Sequence, residues 1–116
     1  KDRRGLIDEL AGVACSPGVV TGIARVVLDP NDSANLEPGD ILVTQNTDPA
    51  WTPLFLVAGA VVVNVGAIAS HASIVSRELG IPCVASVPDA SLRIPDGATI
   101  TVDGSNGTVS IDQLPN

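Results

Sequence analysis

Ala60-Val61-Val62-Val63-Asn64-Val65-Gly66-Ala67-Ile68-Ala69-Ser70-His71-Ala72-Ser73-Ile74-Val75-Ser76-Arg77-Glu78-Leu79-Gly80-Ile81-Pro82-Cys83-Val84-Ala85 is the stretch from which the architecture unfolds. Its two ends, Ala60–Val63 and Cys83–Ala85, are short and wholly apolar, the pattern of strands buried on both faces as in a parallel sheet. Parallel neighbours need a crossover of a dozen residues or more, and the middle of the stretch supplies one. Ile74, Val75, Glu78 and Leu79 fall at helical spacings after Ser70, and Gly80 followed by Pro82 closes the helix. Upstream, Ile41–Thr44 reads as another strand. Thr47-Asp48-Pro49 offers caps for a short helix over 51–58, which Gly59 ends. A βαβαβ centre results, with connections short enough for right-handed crossovers.

The flanks are of another kind. After the turn Ser16-Pro17-Gly18, the alternating residues 20–28 read as a strand with a bulge at Gly22, stopped by Asp29-Pro30-Asn31-Asp32. Residues 99–111 alternate polar and apolar around Gly104-Ser105-Asn106-Gly107, the pattern of a β-hairpin. Residues 1–12, charged and then weakly apolar, read as a linker or the tail of a preceding helix, and 13–116 as the domain. The fold class is α/β: a central, partly parallel sheet flanked by short helices, with a C-terminal hairpin. No internal repeat is visible.

Composition narrows the function. A chain of 116 residues is one domain, large enough for a core without metal or disulfide support. One Trp, one Phe and no Tyr leave that core to aliphatic side chains. Thirteen acidic against six basic residues, a net charge of −7, with so few aromatics, exclude a nucleic-acid surface, which needs a basic stripe or stacking platforms. No apolar run approaches the roughly 20 residues of a membrane span, and the N-terminus has no apolar signal core. The chain reads as soluble and cytoplasmic. It has no Met, which points to a domain excised from a larger polypeptide. Cys15 and Cys83 form no CxxC pair and read as two buried thiols.

The one histidine, His71, follows a buried strand and opens the central helix, the place where α/β sheets bind ligands. Free amides and the positive end of the dipole favour anions there, phosphate above all. The same field disfavours an imidazolium and leaves a ring lone pair free to attack an electrophile. Gly66 permits a tight turn, and Ser70 and Ser73 are candidates to orient the ring or to hydrogen-bond a phosphoryl oxygen. Arg77 lies too far round the helix to share the face of His71 and reads as a surface or salt-bridging residue. No metal site is indicated, because His71 has no second ligand at helical spacing. No GxSxG elbow is present, so a serine hydrolase is unsupported.

The run from Gly66 to Pro82 closely resembles the phosphohistidine motif of phosphoenolpyruvate (PEP)-utilising enzymes, which include PEP synthase, pyruvate phosphate dikinase, enzyme I of the sugar phosphotransferase system and rifampicin phosphotransferase. Three further blocks share the resemblance: Ser16-Pro17-Gly18-Val19-Val20 with Gly22, Asp48 to Phe55, and Val102-Asp103-Gly104 with Gly107-Thr108-Val109. It covers nearly everything from Val13 to Ile111 and is strongest toward the synthase and rifampicin branches. The resemblance implies a swivelling β/β/α mobile domain with His71 as the phosphoryl-accepting nucleophile. It implies no cofactor bound by this domain itself. ATP and magnesium belong to an ATP-grasp partner domain, and an acceptor or PEP/pyruvate-binding domain receives the group, in the same chain or another. Arg77 gains a role in phosphate contact or docking. Ala69 stands where several members carry Thr, which leaves Ser70 or Ser73 to orient the ring.

The function expected is therefore a phosphocarrier domain, a component of a phosphotransferase and not a complete enzyme. The alternative is a non-catalytic interaction or regulatory module that keeps the fold. A small hydrolase with His71 as general base has no partner residues to recommend it.

Overall fold

The computed structural model describes residues 8–32 and 36–115. In chain order its elements are β1 (Asp8–Ala11), β2 (Val13–Ser16), β3 (Val19–Val26), β4 (Ile41–Thr44), a 3-10 turn (Pro49–Trp51), α1 (Thr52–Phe55), β5 (Ala60–Val63), α2 (His71–Leu79), β6 (Cys83–Ala85), α3 (Ala90–Arg93), β7 (Thr99–Asp103) and β8 (Thr108–Gln113). The eight strands lie in the order β1-β8-β7-β3-β4-β5-β6-β2.

The apolar runs make the parallel centre expected of them. Val43 pairs with Val62 and Val62 with Val84, and every residue of β4, β5 and β6 is buried. Because strand side chains alternate, this slab has two apolar faces. Ile41, Val43, Ala60, Val62 and Val84 pack against Leu10, Ile100, Val102, Val109 and Ile111 of the antiparallel strands. Leu42, Val61, Val63, Cys83 and Ala85 pack against Trp51, Leu54, Phe55 and Ala72 of the helical layer. The result is a three-layer β/β/α arrangement.

β3 joins the two sheet layers. Its first half, Val19–Ile23, runs antiparallel to β7, and its second half, Ala24–Val26, runs parallel to β4. No bulge occurs at Gly22, contrary to expectation: it pairs in register with Ile100, and a Cβ there would sit 3.0 Å from the Gly39 carbonyl oxygen. The bulges fall instead between Ala14 and Ser16 and between Thr99 and Ile100.

Residues 8–11 are a strand and not a linker. Leu10 pairs with Val109, is 2% exposed and belongs to the core, so this part of the expected linker is structural; residues 1–7 lie outside the described residues. The helix expected over 51–58 is shorter, reduced to α1 behind the 3-10 turn. The prolines stand in the first turns, where no amide is needed, and the segment ends where the amides of Val57 and Ala58 both converge on the Leu54 carbonyl. β2 and α3 were not expected. β2 is half exposed and short, and α3 is one turn set between Pro88 and Pro95. The hairpin forms as its alternation requires. Its turn is organised by Asp103, whose carboxylate accepts from the Asn106 side chain and from the amides of Asn106 and Ser105, which holds its carboxyl below the usual range.

Candidate functional site

The C-terminal ends of β4 and β5 open into two loops, 45–48 and 64–70, and α2 starts from the second. Gly66 adopts φ 136°, a conformation open to glycine and costly for other residues. A Cβ there would also lie 3.1 Å from Ser70 Oγ and 3.5 Å from the Ala85 Cβ, so the loop folds tightly over β6. Ser70 is the N-cap residue by backbone geometry, φ −76° and ψ 162°, and its carbonyl accepts from the Ile74 amide at 3.0 Å. At the far end Gly80 takes a left-handed conformation, and the Ile81 amide returns to the Ser76 carbonyl.

His71 is the first residue of α2 and is half buried. Two groups hold its ring. Nδ1 lies 2.8 Å from the hydroxyl of Thr47, a residue 92% buried in the loop after β4. Phe55, 1% exposed on α1, stands nearly perpendicular to the imidazole, with ring centroids 5.6 Å apart and an interplanar angle of 83°. Neither contact is local: one bridges 24 residues and the other 16.

The serines expected to orient the ring are placed elsewhere. Ser70 donates its hydroxyl to the Ala67 carbonyl at 2.7 Å, which closes the turn before the helix. Ser73 is wholly buried, and its hydroxyl has no partner among the described residues; the Ser76 hydroxyl, also buried, faces the Cys83 thiol. No side chain caps α2, so the amides of its first turn have no side-chain partner among the described residues. Arg77, exposed as expected, donates from Nη2 to the Ile68 carbonyl at 2.8 Å and ties the helix to the loop that feeds it. Of the residues singled out in the sequence, Gly66, Ser70 and Arg77 thus shape the loop that presents His71, and Ser73 lies in the core. Thr47 and Phe55 are the residues that sequence reasoning missed. Thr47 reads as a cap for the following helix, but the cap is Asp48, whose carboxylate accepts from the Ala50 amide at 2.9 Å.

Both cysteines are free and buried, as the sequence suggests. Burial pushes the Cys83 thiol up to about 12, over the opposing effect of the Ser76 hydroxyl, so it is no nucleophile at neutral pH. Among the described residues no helix is long and apolar enough to cross a membrane.

A family model described as "PEP-utilising enzyme, mobile domain" matches residues 36–107. The chain is 48% identical over 99 residues to a phosphoenolpyruvate synthase of Aeropyrum pernix, covering 84% of this chain and 12% of that protein. It is 45% identical over 104 residues to a rifampicin phosphotransferase of Bacillus cereus, covering 90% and 12%. An uncharacterised phosphotransferase of Bacillus subtilis, YvkC, is 40% identical over 111 residues, 96% of this chain and 13% of that one. The chain therefore spans about an eighth of the length of these relatives. Among solved structures, a solution structure of enzyme I superposes with a TM-score of 0.61 at 24% identity, over 70% of this chain and 34% of that one. Aconitase X of Thermococcus kodakaraensis superposes with a TM-score of 0.66 at 18% identity, over 90% and 98%. At these identities the likeness concerns the fold alone.

Proposed function

The chain belongs to the mobile-domain family of PEP-utilising enzymes, and from that premise we propose that it is a phosphocarrier in which His71 Nε2 accepts and passes on a phosphoryl group. The observation that carries this reading is the bond between His71 Nδ1 and Thr47. With the proton on Nδ1 and donated to the Thr47 hydroxyl oxygen, Nε2 holds the lone pair and has no partner among the described residues.

In the first half-reaction Nε2 attacks the phosphorus of a donor. The N–P bond forms, the bond from phosphorus to the leaving group breaks, and the leaving group departs with the electron pair. The positive charge that develops on the ring is met at Nδ1–H by the Thr47 oxygen. The phosphoryl oxygens carry negative charge, which the positive end of the α2 dipole favours. In the second half-reaction an acceptor oxygen attacks the phosphorus, the N–P bond breaks, and the ring recovers its lone pair. His71 is the catalytic group of both steps. Thr47, and through the loop Gly66, Ser70 and Arg77, position it.

The donor and acceptor sites belong to partner domains. An ATP-grasp domain with ATP and magnesium fits the donor role, and an acceptor or PEP/pyruvate-binding domain the other, in the same polypeptide or another. A cytoplasmic setting goes with such a nucleotide-dependent system. The test needs no partner: phosphoramidate is a small phosphoryl donor. The native chain is expected to form an acid-labile, base-stable adduct, and His71→Ala, folded by its amide spectrum, none. Equal labelling of the two proteins would contradict the proposal.

A further inference from the structure

A planar ring that pivots about its Cβ–Cγ bond is not fixed by one hydrogen bond. The Thr47 contact holds a single atom, Nδ1: the ring can still tilt about that point, and whenever this one bond opens it can turn over and present Cδ2 to the hydroxyl. A second constraint, acting on the plane of the ring, is needed if one nitrogen alone is to meet an electrophile. Phe55 is the one aromatic ring that the structure records against His71. It is held rigidly: 1% exposed, in a cluster with Trp51, Leu54 and Ala58. Perpendicular packing at a centroid separation of 5.6 Å is the favoured arrangement of two aromatic rings, and it is lost if the imidazole tilts.

We propose that Phe55 is a positioning residue that sets the plane of the His71 ring and so restricts phosphorylation to Nε2. The inference rests on the carrier reading of His71 and deepens it. Thr47 fixes where Nδ1 sits, and Phe55 fixes how the rest of the ring lies about that point. An aliphatic side chain of similar bulk fills the core but has no flat surface to hold a ring perpendicular. A purely structural Phe55 would affect stability and leave the reacting nitrogen unchanged; a positioning Phe55 affects which nitrogen reacts.

The experiment compares the native chain with Phe55→Leu and with Phe55→Met, the second conserving volume in a more pliant form. Each protein is labelled with nitrogen-15 in histidine, checked for folding by its amide spectrum, and treated with phosphoramidate. Nitrogen–phosphorus coupling then identifies the nitrogen bonded to phosphorus. The native chain is expected to carry the group on Nε2 alone. In the folded variants the reaction is expected to slow several-fold, and a second adduct, on Nδ1, to reach a tenth or more of the product. A folded variant that reacts at Nε2 alone, at the native rate or slower, would overturn the inference and leave the carrier reading standing. A native chain that forms no adduct overturns the carrier reading, and this inference with it.

Discussion

Thr47 shows at the scale of one residue what the site depends on. Its hydroxyl is the only described hydrogen-bond partner of the His71 ring, and it lies in a loop 24 residues away in sequence. Thr47→Val keeps the shape and removes the bond. Phosphorylation of His71 by phosphoramidate is expected to slow about tenfold, the kinetic counterpart of about 1.4 kcal/mol, within the range for one partly buried hydrogen bond. Thr47→Ser is expected to restore the rate; an unchanged rate in Thr47→Val would remove Thr47 from the mechanism. His71 was legible in the sequence as the single histidine at a strand-to-helix junction, and Gly66 as the residue that lets the chain turn there. Thr47 was not. Its neighbours Asp48 and Pro49 make it look like a helix cap, and only the parallel pairing of β4 and β5 brings their two exit loops together.

At the scale of elements, α2 and its approach loop behave as one device. The extent of the helix was legible from local signals, above all the glycine at its end, but its buried face was not: Ile74 and Leu79, which set the apolar spacing, are exposed, and the small residues Ala72, Ser73 and Ser76 pack inward. The ties that hold the loop were not: Arg77 reaches back nine residues to the Ile68 carbonyl, a contact that a helical wheel cannot show. Arg77→Ala is expected to leave the strands unchanged but to loosen residues 66–70. Amide exchange there should rise, and labelling of His71 should slow. Unchanged exchange in that loop would make Arg77 an ordinary surface residue. The short helix α1 was overdrawn because apolar spacing continues through 51–58, whereas the amides of Val57 and Ala58 converge on the Leu54 carbonyl and close the segment early.

For the whole molecule, the parallel centre and the C-terminal hairpin were legible because period and burial agree there. The N-terminal edge was not. Strand β1 is four residues of mixed polarity, and its one large core side chain, Leu10, carries too little periodicity to announce a strand. Leu10→Ala is expected to destabilise the fold by roughly 2–4 kcal/mol in denaturant unfolding, the cost of truncating a buried leucine, whereas a linker residue would cost nothing measurable. Cys83 gives the fold an alkaline limit. Its folded-state thiol is raised from 9.0 to about 12, so between these values the unfolded chain has lost a proton that the native one keeps. Stability from this group is therefore fully present below about pH 9 and falls as the pH rises toward 12. Cys83→Ala is expected to lower stability at neutral pH and to flatten that alkaline decline; an unaltered slope would assign the decline to other groups.

The most direct measurement is the nitrogen-15 spectrum of the single histidine in the native chain, recorded before and after phosphoramidate. Before the reaction, the expected spectrum has the proton on Nδ1, bonded to Thr47. After it, nitrogen–phosphorus coupling is expected at Nε2. A spectrum with the proton held on Nε2 and no phosphorus coupling after treatment would contradict the assignment of His71 as the phosphoryl carrier.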